Sequence, residues 1–206
     1  MKVVLFDFDG VLTIDAYGSV TIINYIVKKT GIDHDRFEKA YRRHNKELLL
    51  GMKKHEDIWE ELCSELQTKI DYQILLDSFI QTELDDRMLS LAKKLREDGY
   101  RLGIVTDNKK DRIDAIVKHN RFEEIFEHIF ISAELGMSKK EQETFIKVAE
   151  TFAVEASDCV FIDNTKENLI APVSLGMKTI FYDDEERDIN RLIKELRVIL
   201  KSEQEA

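Results

Sequence analysis

Two carboxylates set two residues apart close the first apolar run of the chain. Residues 1–13 read Met-Lys-Val-Val-Leu-Phe-Asp-Phe-Asp-Gly-Val-Leu-Thr, and residues 3–6 have the pattern of a strand buried on both faces of a parallel sheet. If strand geometry carries on past Phe6, Asp7 and Asp9 leave one face and Phe8 the other. Gly10 then permits a sharp turn or a close approach to a ligand. Acids this near repel each other, so a cation or a shared proton is needed to relieve them. The plainer alternative is a solvated turn at a strand end. A calcium loop of the EF-hand kind is excluded, because Leu12, Thr13 and Ile14 supply none of its further ligands.

Two more buried runs end in polar residues. Residues 102–105 lead to Thr106, and residues 160–162 lead to Asp163 and Asn164. In open parallel sheets ligands bind beyond the carboxyl ends of the strands, which would gather these groups. Carboxylate and amide oxygens with few histidines or thiolates favour a hard cation such as Mg²⁺, and Mg²⁺ in turn favours a phosphate substrate. Ser138, Lys139, Lys140 and Glu141 form a Ser-x-x-Glu capping box ahead of an apolar helix, with Ser138 at the N-cap and Lys139 in the first turn. A lysine there opposes the helix dipole unless an anion sits beside it. An exposed lysine at small cost is the alternative.

The elements that must position these residues follow from the apolar periodicity. Residues 14–85 read as helices only: Ile22, Ile23, Ile26 and Val27 keep helical spacing up to Gly31, and Trp59, Leu62, Cys63 and Leu66 do so further on. Within them Arg36, Arg42, Arg43, His44, Lys46, Lys53 and Lys54 give a basic bias, read first as the solvated face of helices. His34, His44 and His55 lack metal-ligand spacing and read as structural or surface residues. From residue 86 helices alternate with strands. Met88 to Leu95 form a helix capped by Asp85 or Asp86 and stopped at Gly99. Strands follow at 100–105, 126–132, 159–162 and 178–181, and the tail helix carries Ile189, Leu192, Ile193, Leu196 and Ile199 on one stripe. The resulting class is α/β: a parallel sheet with helices on both faces and a helical insert.

Composition bounds the rest. A chain of 206 residues with 43% hydrophobic and 35% charged residues suits one soluble domain with a subdomain. With 31 basic against 41 acidic residues its net charge is −10, which argues against nucleic acid as a partner. Nor is there a run able to span a membrane or a secretory signal. Two cysteines without metal spacing, Cys63 and Cys159, suit a reducing, cytoplasmic setting.

Four segments together carry a resemblance. Asp7-Phe8-Asp9-Gly10-Val11-Leu12-Thr13, Ile104-Val105-Thr106-Asp107-Asn108, Gly136-Met137-Ser138-Lys139 and Phe161-Ile162-Asp163-Asn164-Thr165-Lys166-Glu167-Asn168 resemble, in order and spacing, the four motifs of the haloacid dehalogenase-like (HAD) hydrolase superfamily. The resemblance implies a Rossmann-like core at 1–14 and 86–206 with a helical cap at 15–85. It also implies a Mg²⁺-dependent phosphomonoester hydrolase acting on a small phosphorylated metabolite. In that scheme Asp7 is the nucleophile that becomes an aspartyl-phosphate, and Asp9 is the acid and base. Thr106, Asp107 and Lys139 face the phosphate, while Asp7, Asp9, Asp163 and Asn164 hold the metal. Three positions depart from the family pattern: Asn164 stands where a second acid is common, Asp107 where Asn is common, and Lys140 where Pro is frequent. Asp9 argues against alkyl-halide chemistry, which needs no proton donor. A phosphomutase, a phospho-accepting receiver module and a catalytically silent scaffold are the alternatives.

Overall fold

The computed structural model describes residues 2–201. Its centre is a five-stranded sheet in the order β3-β2-β1-β4-β5, formed by β1 (Val3–Phe6), β2 (Arg101–Thr106), β3 (His128–Ile131), β4 (Cys159–Asp163) and β5 (Lys178–Phe181). All pairings are parallel, and β1 lies in the middle, with Val3 opposite both Arg101 and Cys159. That position explains the unbroken apolar run of β1, since each of its residues is buried whichever face it points to.

The alternation along β1 sorts the helices into two layers. Val4 and Phe6 pack with Met88, Ala92, Ile113, Ile116, Leu192 and Leu196, which come from α6 (Asp86–Glu97), α7 (Lys110–Asn120) and α11 (Ile189–Lys201). Val3 and Leu5 pack on the other face with Phe145, Val148, Phe152, Ala171 and Met177, mostly from α9 (Gln142–Phe152) and α10 (Ile170–Ser174). The expected α/β sheet with helices on both faces is therefore present. A 3₁₀ turn over Lys166–Leu169 leads directly into α10. Among the described residues no helix is long and apolar enough to cross a membrane.

Between β1 and α6 come α1 (Gly18–Thr30), α2 (His34–Arg42), α3 (Asn45–Leu49), α4 (His55–Glu65) and α5 (Tyr72–Phe79). They share an apolar cluster of their own, built on Ile22, Ile26, Phe37, Trp59, Leu62 and Phe79. The chain leaves and rejoins the sheet at one place. Thr13 bridges Leu84 in antiparallel fashion, the Ile14 N–H donates to the Glu83 carbonyl at 2.9 Å, and the Asp85 N–H donates to the Leu12 carbonyl at 2.9 Å. Asp85 then caps α6 by accepting the N–H groups of Arg87 and Met88. Its carboxylate also receives Arg187 at 2.8 Å, whose guanidinium donates to the Thr13 carbonyl at 3.0 Å as well.

The insert's basic residues are largely spent on ion pairs and carbonyls. Arg42 pairs with Glu38, Arg43 with Glu65 and Lys53 with Glu47, while Arg36 donates to the Leu66 carbonyl. His55 is fully buried. Its Nε2 lies 2.8 Å from the Tyr41 hydroxyl and its Nδ1 lies 2.7 Å from the Asp111 carboxylate, linking the insert to α7.

Candidate active site

Asp7 follows directly on the central strand, at its carboxyl end, where its N–H still donates to the Ile162 carbonyl of β4 at 2.8 Å. Its Oδ1 accepts the Phe8 N–H at 2.7 Å and lies 2.7 Å from the Lys139 ammonium. The same ammonium lies 2.7 Å from Asp163 Oδ2, so one buried cation bridges the ends of β1 and β4. Burial raises the Asp7 pKa well above the ordinary carboxylate value, and the nearby Asp163 charge adds to this, while Lys139 opposes it. Burial alone would lower Lys139, yet the charges of Asp7, Asp163 and Asp107 more than offset that and keep it an ammonium. A buried charge persists only where it is paired, and this lysine is paired twice.

Strand geometry stops at Phe6. Phe8–Leu12 form a single wide turn instead, in which Gly10 takes a φ of 83°. A side chain on Gly10 would collide with Asn164, so only glycine allows the two loops to meet there. Asp7 and Asp9 consequently reach one cavity from a turn rather than from one face of a strand. The Asp9 carboxylate receives both terminal nitrogens of Arg112 at 2.8 and 2.9 Å and the Asn108 amide at 2.7 Å. The repulsion expected between the two acids is thus relieved by two separate cations, Lys139 for Asp7 and Arg112 for Asp9.

Lys139 does not occupy the first turn of a helix. α9 begins at Gln142, and residues 138–141 make a turn before it, with Glu141 accepting the Ser138 N–H at 2.8 Å. Half of the anticipated capping box is there, but Ser138 is not the N-cap. The conflict with the helix dipole disappears because the ammonium is buried among carboxylates. The Asp107 carboxylate accepts the Lys139 N–H at 2.9 Å through one oxygen and so anchors the lysine loop beside the cavity that Asp107 also lines. Burial raises its pKa, against the pull of Lys139.

Asp163 is wholly buried. It accepts Lys139 at 2.7 Å, the Thr165 N–H at 2.7 Å and the Asn168 amide at 3.2 Å on both oxygens. These four donor contacts match the roughly four acceptor sites of a carboxylate. Asn164, by contrast, makes no side-chain hydrogen bond within the described residues. The cavity enclosed by Asp7, Asp9, Thr106, Lys139 and Asn164 measures about 210 Å³. Asn108, Lys109, Arg112 and Asn168 also belong to it or support it. Asn108 and Asn168 stand within two of the four motifs without a role assigned from sequence, and Lys109 and Arg112 carry no sequence signal, since basic residues at the start of a helix ordinarily read as solvated face.

A family model described as haloacid dehalogenase-like hydrolase matches residues 1–176. The chain belongs to the haloacid dehalogenase-like hydrolase family. Among curated relatives, a glyceraldehyde 3-phosphate phosphatase of Pyrococcus abyssi is 31% identical over 43% of this chain and 38% of its own length. A sesquiterpene phosphatase of Aspergillus oryzae is 28% identical over 48% of this chain and 51% of its own. The chain therefore spans about half or less of the length of these relatives. Among solved structures, a HAD family enzyme of Bacteroides thetaiotaomicron, in complex with magnesium and inorganic phosphate, superposes with a TM-score of 0.73 at 21% identity. That match covers 88% of this chain and 93% of the other.

The donor set of this HAD-like hydrolase fits a hard cation. Asp7 is the buried carboxylate with an oxygen to spare beyond its Phe8 and Lys139 contacts, Asn164 is an amide without a partner, and no thiolate or imidazole lines the cavity. Asp163, with both oxygens occupied, has less to offer directly and serves first to hold Lys139.

Proposed function

We propose that this protein hydrolyses small phosphomonoesters through a phosphoryl group carried on Asp7. The observation that supports this most directly is the Asp7 carboxylate, buried at the end of the central strand and held by Lys139 beside the Thr106 hydroxyl. In the first step an oxygen of Asp7 attacks phosphorus in line while the ester oxygen departs and takes a proton from Asp9. In the second, Asp9 takes a proton from water, the water oxygen attacks phosphorus, and phosphate leaves as the Asp7 carboxylate is regenerated. Thr106, the Asp107 backbone N–H and Lys139 are the groups available to the phosphoryl oxygens during both transfers. Asp7, the Asp9 backbone carbonyl and Asn164 would hold Mg²⁺, with Asp163 behind them. When bound, Mg²⁺ would neutralise the phosphoryl charge and weaken the repulsion between phosphate and Asp7.

Residues 15–85 would act as a cap over this site, for two reasons. They pack on a core of their own, and they join the sheet through the paired segments at Thr13 and Leu84. The receiver-module alternative finds no support: the acceptor acid follows the central first strand, and the helical insert is large. The test is hydrolysis of p-nitrophenyl phosphate and of simple alkyl phosphates with and without Mg²⁺. Turnover that needs Mg²⁺ and vanishes in Asp7→Asn supports the reading, and turnover retained by purified Asp7→Asn overturns it.

A further inference from the structure

Lys109 sits at the N-cap position of α7 and is only 4% exposed. Its ammonium lies 5.6 Å from the centroid of the Tyr41 ring. No oxygen among the described residues accepts a hydrogen bond from it or pairs with it. The other two buried cations are treated differently, since Lys139 bridges Asp7 and Asp163 and Arg112 binds Asp9 through both terminal nitrogens. A lysine this deeply packed without an oxygen partner is costly to hold charged, and a cation–π contact offsets a part of that cost, while the ammonium nitrogen itself still opens on the cavity.

The surroundings of Lys109 identify what is missing. It lines the cavity of Asp7 and Thr106 and also an adjoining cavity of about 340 Å³, where Lys53, Lys54 and Lys110 stand with Glu56, Asp111 and Asp114. Asn45 of α3 lines the first cavity too, and its Oδ1 is buried without a partner. One unmatched donor therefore borders the space beside the phosphoryl site, on the side of the helical insert, and one unmatched acceptor lies just behind its wall, within a side-chain rotation of it. Burial, with the Arg112 charge next, lowers the Lys109 pKa to about 8. An arriving anion would restore what burial removes.

We propose that Lys109 receives a second anionic group of the substrate, a carboxylate or second phosphate on the alcohol half of the ester, and that Asn45 accepts a hydrogen bond from a substrate hydroxyl. The inference rests on the phosphatase reading and narrows it to small, doubly anionic esters. The site cavity, about 210 Å³, lies below the roughly 300 Å³ at which pockets for drug-sized ligands begin.

The test uses matched esters: ethyl phosphate against phosphoglycolate and ethane-1,2-diol bisphosphate, and glycerol 3-phosphate against 3-phosphoglycerate, with p-nitrophenyl phosphate as a general reporter. The wild type should favour the doubly anionic member of each pair by about tenfold or more in kcat/KM, chiefly through KM, as one charge-assisted contact provides. Whether the carboxylate or the bisphosphate leads identifies the group. Lys109→Met, close in volume, should bring the ratio within each pair near one, and Lys109→Arg should keep most of it. Calorimetry on Asp7→Asn, which retains the cavity without turnover, should give the same order of affinities. If p-nitrophenyl phosphate is hydrolysed but the wild type does not distinguish the pairs, or Lys109→Met lowers both members alike, Lys109 is a packing residue on Tyr41 and the inference is wrong. If no ester is hydrolysed, the phosphatase reading fails and this inference fails with it.

Discussion

At the scale of single residues, Asp7 carries opposite consequences for activity and stability. Burial raises its proton affinity in the fold above that in the unfolded chain, so the fold gives up stability as pH rises through the raised value. Asp7→Asn removes that cost along with the nucleophile. It should be inactive, should fail to bind beryllofluoride, and should melt a few degrees above the wild type at pH 8, with the gap closing toward pH 4. A variant that melts lower at pH 8 would mean that the Lys139 pairing outweighs desolvation. Asn164 yields a second test. As a metal ligand it provides a neutral oxygen, so Asn164→Asp should tighten Mg²⁺ activation and Asn164→Ala should weaken it. The competing role is packing against Gly10, for which Asn164→Ala would change stability and leave Mg²⁺ activation as it is. Mg²⁺ activation curves and melting temperatures for both variants distinguish the two, and unchanged Mg²⁺ dependence removes Asn164 from the ligand set.

At the scale of elements, the meeting of α1 and α7 controls Asp9. Gly18 opens α1, and a side chain there would run into the Arg112 guanidinium, which is itself fully buried and whose Nε lacks a partner. The backbone of the insert thus closes one side of the cation that holds Asp9. Gly18→Ala should displace Arg112 and with it Asp9, lowering kcat on alkyl phosphates by about tenfold to a hundredfold, a part of what general acid catalysis contributes. The loss should be much smaller with p-nitrophenyl phosphate, whose leaving group needs little protonation. An equal loss on both substrates would indicate a packing defect.

Across the whole molecule, acid stability depends on the knot that joins sheet, insert and tail. Burial would raise the Asp85 pKa, but hydrogen bonds from Arg87 and Arg187 hold it at about 2. A depressed carboxylate stabilises the fold above its unfolded value, near 3.9, and that contribution is lost as pH falls toward 2. Asp85→Asn keeps a capping side chain on α6 while removing the charge, and should cost about 2 kcal/mol at pH 7. Melting curves from pH 7 down to 2 should show the difference between wild type and variant shrinking, and a difference that stays constant would mean that the carboxylate charge is not its source.

The linear sequence determined the class of fold and three strand-end segments of the candidate site, at Asp7, Thr106 and Asp163. Buried parallel strands read as continuous apolar runs, and the polar residue that ends each run marks a carboxyl terminus. The apolar stripes likewise read residues 14–85 as helical, where α1 to α5 lie. Tertiary structure alone decided the pairings. A lysine after Ser138 reads as a strained helix start until β4 brings Asp163 against it. The partner of the Asp107 carboxylate, the Lys139 N–H, likewise comes from 32 residues away. Arg112 and Lys109 lie in and beside a helix rich in charge, where a basic residue normally faces water, and only the packing of the insert onto α7 buries them. Local periodicity reports which face of an element is apolar. Where a buried charge finds its partner depends on chain segments far apart in sequence, and Arg112 and Asp9 are separated by 103 residues.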